Sequence, residues 1–194
     1  SGEIITSTSG TSNLRIGENA GDAIVSGGNY NTVVGDEAGT AITTGDNNTL
    51  LGYQTGDALT TPFGNVAIGD RALSSETTGQ RNTAVGSTAL FAQNNTSNEL
   101  AYNTAVGYQA GGAVTTGVQG VYIGGLAGDA DTTGGKNTYV GYDAGGANAG
   151  DQNVFIGHSA GSAITDGDKN TIIGKYDGNQ GSLDIRTSDN NIVL

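Results

Sequence analysis

A glycine returns about every seventeen residues along most of this 194-residue chain, at positions 17, 35, 52, 69, 86, 107, 124, 141, 157 and 174. The successive intervals are 18, 17, 17, 17, 21, 17, 17, 16 and 17. A fixed period of this length is the mark of a stacked-repeat architecture, and it narrows the possible folds more than any other feature. The unit reads Asn-Thr-x-(Val/Ile/Leu)-Gly-x-x-Ala-Gly-x-Ala-(Ile/Val)-Thr-Thr-Gly-x-x, as in "NTAVGYQAGGAVTTG" over 103–117.

Helical repeats do not tolerate this spacing of glycines, each of which costs about 1 kcal/mol in a helix. The five residues before each glycine are rich in Thr, Val and Ile, and their fourth position is always Val, Ile or Leu. That is a short strand ended by a glycine. The Ala-x-x-Ala-(Ile/Val) segment supplies the return side, and "TTGD", "TTGQ" or "TDGD" the turn. The chain is therefore expected to be all-β, a parallel β-solenoid (β-roll) of about ten 17-residue coils. Coils stacked about 4.8 Å apart make a rod of roughly 45–50 Å.

Composition removes competing classes. Glycine is abundant (35 residues) but follows no three-residue period, and the single proline completes the exclusion of collagen. No apolar run approaches the roughly 20 residues that span a bilayer, so membrane insertion is not expected. Residues 1–12 open on Ser rather than Met, as an internal fragment or processed chain would, with neither the basic nor the apolar segment of a signal peptide. They are read as a flexible N-terminal segment. Nineteen acidic residues against seven basic give a net charge of −12, which repels phosphate backbones and argues against nucleic acid as a partner. With no cysteine, neither disulfides nor thiolate metal sites are available.

An asparagine opens nearly every unit: Asn13, Asn31, Asn48, Asn65, Asn82, Asn103, Asn137, Asn153 and Asn170, with Gly120 the one break. In register, these side chains are expected to form a hydrogen-bonded ladder linking each coil to its neighbours. A turn role, from the tolerance of Asn for left-handed φ, is the alternative. The third strand position reads Val33, Leu50, Ala67, Ala84, Ala105, Tyr122, Tyr139, Phe155 and Ile172. If the always-apolar fourth position faces inward with the second, alternation turns the third outward. So apolar a row should not face water. Ala67, Ala84, Ala105, Tyr122, Tyr139, Phe155 and Ile172 are therefore expected to form a subunit interface, or alternatively a ligand-stacking stripe. So slender a coil is also expected to gain burial from partner chains.

At this point the motifs carry a resemblance. "NVAIG" (65–69), "NTAVG" (82–86 and 103–107) and "NTIIG" (170–174) are similar to the head repeats of trimeric autotransporter adhesins, β-rolls in which three chains wrap a common axis. "NTAVGYQAG" and the ending "GNQGSLDIRTSDNNIVL" resemble bacteriophage tail-fibre proteins more closely still. There, such repeats precede a self-cleaving intramolecular chaperone that drives trimer assembly. The resemblance covers about residues 13–194, and the 17-residue unit is longer than that of the adhesin heads. It implies a homotrimeric rod on a virion or cell surface, the shaft or receptor-contacting part of a tail fibre. A bacterial adhesin head is the alternative, and a polysaccharide-degrading tailspike a third reading.

Catalytic chemistry is hard to build from these residues, and no enzyme or cofactor is expected. The only histidine, His158, occupies a slot that also takes Glu18, Asp36, Tyr53, Asp70, Ser87, Tyr108, Gly125, Tyr142 and Lys175, which marks an exposed turn. With no second His and no Cys, a catalytic Ser–His or Cys–His group is not expected within one chain. Tailspike chemistry needs paired carboxylates, and only a pair across chains remains open. Asp46, Asp129, Asp131, Asp166 and Asp168 are read as turn residues, with a weak oxygen-ligated cation as the alternative. No phosphate-cradling glycine motif is present. The Thr-Thr pairs at 43–44, 60–61, 77–78, 115–116 and 132–133 alternate faces, which speaks against an ice-binding row. Tyr53, Tyr108 and Tyr142 are exposed aromatics able to stack on sugars, but they belong to separate coils.

The interval from 86 to 107 is four residues too long and contains "LFAQNNTSNELAY" (90–102). Insertions leave a solenoid as loops, often on its binding face, so Asn94, Asn95, Thr96, Ser97 and Asn98 are the candidate receptor contacts, on a host glycan or protein. A tolerated insertion without function is the alternative. The solenoid is assigned to 13–176 and a capping or transition segment, by hairpin or change of strand path, to 177–194.

Overall fold

The computed structural model describes residues 9–95, 100–147 and 150–194. It is a parallel β-solenoid with no helix among those residues. Ten three-residue strands begin the coils: β1 (Leu14–Ile16), β2 (Thr32–Val34), β3 (Thr49–Leu51), β4 (Val66–Ile68), β5 (Thr83–Val85), β6 (Thr104–Val106), β7 (Val121–Ile123), β8 (Thr138–Val140), β9 (Val154–Ile156) and β10 (Thr171–Ile173). Each pairs in parallel with the next, motif against motif, so Thr83 lies opposite Thr104 despite the insertion between them. The chain then forms a short antiparallel hairpin, β11 (Asn179–Gln180) with β12 (Leu183–Asp184). It returns to the stack as β13 (Ile192–Val193), the eleventh strand of the main sheet. At the other end, bonding between coils already includes Thr11, whose carbonyl accepts the Tyr30 N–H at 2.9 Å.

The motif glycines explain why each strand stops. Gly35, Gly52, Gly86, Gly107 and Gly141 have φ between +137° and +142°. A Cβ on Gly35 would lie 2.2 Å from the carbonyl oxygen of Gly52, and one on Gly107 2.5 Å from that of Gly124. The chain turns its corner where backbone presses on backbone, and a side chain there would force adjacent coils apart.

The asparagine ladder is present, built mainly from side chain to backbone. The Oδ1 of one asparagine accepts the backbone N–H of the next: Asn13 from Asn31 (2.9 Å), Asn48 from Asn65 (3.0 Å), Asn82 from Asn103 (3.1 Å), Asn153 from Asn170 (2.8 Å). The Nδ2 group donates across its own coil to the closing turn, as from Asn31 to Gly45 O and from Asn65 to Gly79 O. Most of these amides thus tie a coil to its neighbour and to its own far end; the buried Asn82 Nδ2 makes no such bond. Asn191 continues the ladder into the last rung, its N–H bonded to Asn170 Oδ1 at 2.9 Å.

These inward asparagines fix the parity of every strand. With the first position inside, alternation puts the third inside and the second and fourth outside. The expectation of an external third-position row is therefore overturned. Val33, Leu50, Ala67, Ala84, Ala105, Tyr122, Tyr139, Phe155 and Ile172 are all fully buried within the single chain. None can contact a partner subunit or stack on a ligand. They line the lumen with a column of alanines (Ala38, Ala72, Ala89, Ala110, Ala127, Ala144, Ala160) and, in several coils, Ile or Leu. The burial of this row is supplied from inside its own chain.

Volume is balanced within coils four, five and seven to nine; in coil six, where Ala105 is paired with Gly111, Leu90 and Tyr122 of the adjacent coils fill the space, 2.9 and 3.1 Å from a Cβ placed on Gly111. Where the third position is Ala67 or Ala84, the residue six further on is Leu73 or Leu90, both buried and both at positive φ (56° and 49°). Where it is aromatic, that slot is Gly128, Gly145 or Gly161. A Cβ there would lie 2.4 Å from Tyr122, 2.5 Å from Tyr139 and 2.5 Å from Phe155 respectively. Tyr139 stacks on Phe155 with ring centroids 5.1 Å apart, and Tyr122 meets Tyr139 edge-on at 5.7 Å.

Candidate functional site

The outward consequence of this parity is a two-row ladder along the main sheet. The fourth positions, Ile16, Val34, Leu51, Ile68, Val85, Val106, Ile123, Val140, Ile156 and Ile173, run up the rod one per coil. Leu51 and Ile173 are 46% and 48% exposed, and Ile16, Val106, Ile123 and Ile156 are also exposed. Beside them run the half-buried second positions, Thr32, Thr49, Val66, Thr83, Thr104, Val121, Thr138, Val154 and Thr171. Neither row contains a charged residue. Sequence reasoning recorded that the fourth position is always apolar but assigned it to the interior. The size compensation between Ala67 and Leu73, against Tyr122 and Gly128, was the signal in the sequence that could have placed the third position inside instead.

The candidate receptor loop divides. Thr96, Ser97 and Asn98 lie outside the described residues. Asn95 is 3% exposed, so it is corrected from a surface contact to a lumen residue. Its backbone N–H bonds both carboxylate oxygens of Glu76, at 3.2 and 3.1 Å. Asn94 is half-buried, and its Oδ1 accepts the Thr77 hydroxyl at 2.9 Å, where other coils use a threonine carbonyl. Both asparagines belong to the coil wall at the root of the insertion.

That root is held by a polar network the sequence reading did not single out. Glu76 is fully buried in the slot that Ile42 and Leu59 fill in earlier coils. Its carboxylate accepts the N–H groups of Thr78 (3.1 Å) and Gly79 (2.7 Å) as well as that of Asn95. Gln93, in the same slot one coil on, donates to Glu76 Oε2 at 3.2 Å and accepts from Asn103 at 3.0 Å. A buried charge is tolerable when its lone pairs are this fully engaged.

Asp131 repeats the device three coils beyond Glu76, at the break in the asparagine ladder. A Cβ at Gly120 would fall 2.6 Å from the Tyr122 hydroxyl, so that phenol occupies the space an asparagine would take. The hydroxyl donates to Asp131 Oδ2 at 3.2 Å, and Asn137 donates to the same oxygen at 3.1 Å. The Gly134 N–H reaches Oδ1 at 2.8 Å. Burial pushes the Asp131 carboxyl up to about 6, with the bonds from Asn137, Gly134 and Tyr122 pulling the other way. Asp131 is thus a buried lumen residue that accepts the turn's Gly134 N–H, with its oxygens bonded to Tyr122, Asn137 and Gly134.

The other turn aspartates cap backbone. Asp46 accepts the Asn29 N–H at 2.6 Å and Asp168 the Asp151 N–H at 2.7 Å, while Asp166 is exposed. Asp129 is half-buried, and burial with Asp143 nearby raises its carboxyl. A groove of about 450 Å³ is lined by Asn19, Asp22, Ala23, Glu37, Thr40 and Asp57. Among the described residues, no group of three or more His, Cys, Asp or Glu is placed to hold a metal ion. His158 is exposed, with Tyr142 5.3 Å away ring to ring and Ser159 Oγ 3.0 Å from Nδ1. Tyr53, Tyr108 and Tyr142 are exposed.

No family model, curated protein or solved structure matches this chain.

Proposed function

We propose that this chain is a structural, non-enzymatic segment of a homotrimeric attachment rod, the shaft or receptor-contacting part of a phage tail fibre. The observation that carries the reading is the uncharged outer ladder from Ile16 to Ile173, one β-branched residue or leucine per coil with no partner in the single chain. A continuous apolar stripe of this length marks an association surface. Its regularity suits a second and third copy lying alongside in the same register. The trimeric count follows the resemblance to heads in which three chains wrap a common axis. The half-buried threonines beside the stripe let neighbouring sheets approach closely and keep hydroxyls for hydrogen bonds between chains. Attachment would then be mechanical, with three identical faces raising avidity for a host-surface glycan or protein.

Solution mass is the direct test. A species of three times 19.3 kDa is expected at micromolar concentration. Val106→Asp with Ile123→Asp should yield a folded monomer, because both side chains lie outside the lumen. A wild-type chain that stays monomeric and folded would overturn the reading, as would a trimer indifferent to both substitutions.

A further inference from the structure

We propose that Phe63, Arg81 and Tyr102 form a contact site for a carboxylate-bearing sugar on the side of the rod; the proposal deepens the attachment reading and rests on it. The chain has four arginines. Arg15 pairs with Asp22 at 3.3 Å and Arg186 with Asp184 at 2.8 Å. Arg71 donates to Gln54 Oε1 at 3.2 Å and lies 5.9 Å from the centroid of the single Tyr53 ring. Arg81, in a chain of net charge −12, likewise meets no carboxylate among the described residues. Its guanidinium carbon instead lies 5.7 Å from the centroid of the Phe63 ring and 5.6 Å from that of Tyr102. Its Nη1 donates to the Tyr102 hydroxyl at 2.7 Å.

The three side chains enter successive strands, β4, β5 and β6, so a cation sits between two rings along the rod. All three are exposed, and Leu100 beside them is too. The backbone beneath is fixed by the Arg81 N–H to Phe63 O bond at 3.1 Å and by the bridges Asp46–Phe63 and Gln80–Leu100. Rings flanking a guanidinium orient its plane and leave the remaining N–H donors at its edge for a bidentate acceptor. The order is apolar, cationic, apolar over two coil spacings, about 10 Å. That fits an oligosaccharide whose flat C–H faces rest on the rings while a uronate carboxylate meets Arg81 between them. An acidic peptide offers the carboxylate but no flat faces for both rings. Leu100 and Tyr102 close the one coil with an insertion, and insertions mark the binding side of solenoids.

The probe is an oligosaccharide alternating glucuronate with a neutral hexose, titrated calorimetrically beside the same sugar with its carboxylates reduced to alcohols. Reduction should weaken binding roughly ten- to a hundredfold, the share carried by a charge-assisted bidentate contact. Arg81→Gln should do the same, Arg81→Lys should recover only part, and Arg15→Gln should change nothing. Arg81 is exposed, so these rods remain folded. Absence of binding, equal affinity for the reduced sugar, an unaffected Arg81→Gln chain, or equally tight binding of oligoglutamate would each overturn the site. Rods that bind the uronate through Arg81 but attach to no cell would refute the attachment reading and leave this site standing.

Discussion

Coils four and five fill the lumen differently from coils seven to nine, although the outer sheet is the same in both. The first pair sets Ala67 and Ala84 against Leu73 and Leu90; the second group sets Tyr122, Tyr139 and Phe155 against Gly128, Gly145 and Gly161. In these five coils the cross-section holds a similar volume, and either side of the coil can supply it. The same pair of regions also departs from a dry core in the third lumen column, through Glu76 and Gln93 in one and Asp131 in the other. Each carboxylate stands beside a local irregularity, the four-residue insertion in one case and the missing asparagine in the other. Regular coils use Ile, Leu or Val in this slot, as at Ile42, Leu59, Val114 and Ile164; where backbone donors need an acceptor, the slot becomes acidic.

The sharpest way to break the comparison is Gly161→Leu, which places a Cβ 2.5 Å from the Phe155 ring. We expect destabilisation beyond about 4 kcal/mol, since overpacking adds to the strain of a left-handed leucine. Adding Phe155→Ala recreates the Ala84–Leu90 arrangement and should restore all but about 1–3 kcal/mol, the left-handed cost itself. Hydrogen exchange in the ninth coil reads both variants. If the double substitution fails to recover stability, the two fillings are not interchangeable.

Next in size is Glu76→Leu, which gives coil four the same slot residue as Leu59. If the carboxylate were a passenger, stability would hold. Because the Thr78, Gly79 and Asn95 N–H groups would lose their acceptor, we expect a loss of roughly 3–6 kcal/mol by denaturant unfolding.

The Asp131 coil should respond to acid. Its carboxyl is raised in the folded chain to about 6 from 3.8, so folding favours the protonated form. The stabilisation from protonation is full below about pH 3.8 and is lost as pH rises through about 6. Integrated over that window it is worth about 3 kcal/mol. Between pH 7 and pH 4, wild type should therefore gain most of this, about 2 kcal/mol, relative to Asp131→Asn, measured as the difference between their urea midpoints. An identical pH response in the two proteins would remove Asp131 from the account.

The smallest effect tests what the two regions share. Thr60 Oγ1 donates to Thr77 O at 3.1 Å and Thr115 Oγ1 to Thr132 O at 2.8 Å, one bond per coil at the same corner. Thr60→Val and Thr115→Val should each cost about 1 kcal/mol or less, and by similar amounts. A clear inequality would show that the corner is not as regular as the sheet.

Much of the architecture was legible because the period is strict. The glycine spacing dictated coils, the β-branched quintets dictated strands, and the asparagine column dictated a ladder. Parity was lost through one assumption. The always-apolar fourth position was taken as interior, although a side chain linking coils through the turn carbonyls has to point into the coil. Asn31 and Val33 are two residues apart and so share a face; reading the ladder and the core together would have placed Tyr122 and Phe155 in the lumen. Of the candidate contacts, Asn95 misled because a polar run suggests surface, whereas Glu76 in the adjacent coil captures its backbone. The Phe63–Arg81–Tyr102 cluster could not be seen along the chain, since its members lie in three successive coils and Phe63 is offset by one position from the Arg81 slot.

The sequence by itself determined the solenoid, its rung length and its register, because every coil repeats the same local instructions and a slip of one residue would misplace the asparagine and glycine columns together. Only the tertiary structure decided which apolar row is core and which faces outward, and which acids are buried. Those outcomes depend on the volume enclosed when opposite sides of a coil meet, and on which backbone N–H groups are left without an acceptor there. Neither quantity belongs to any single segment of the chain.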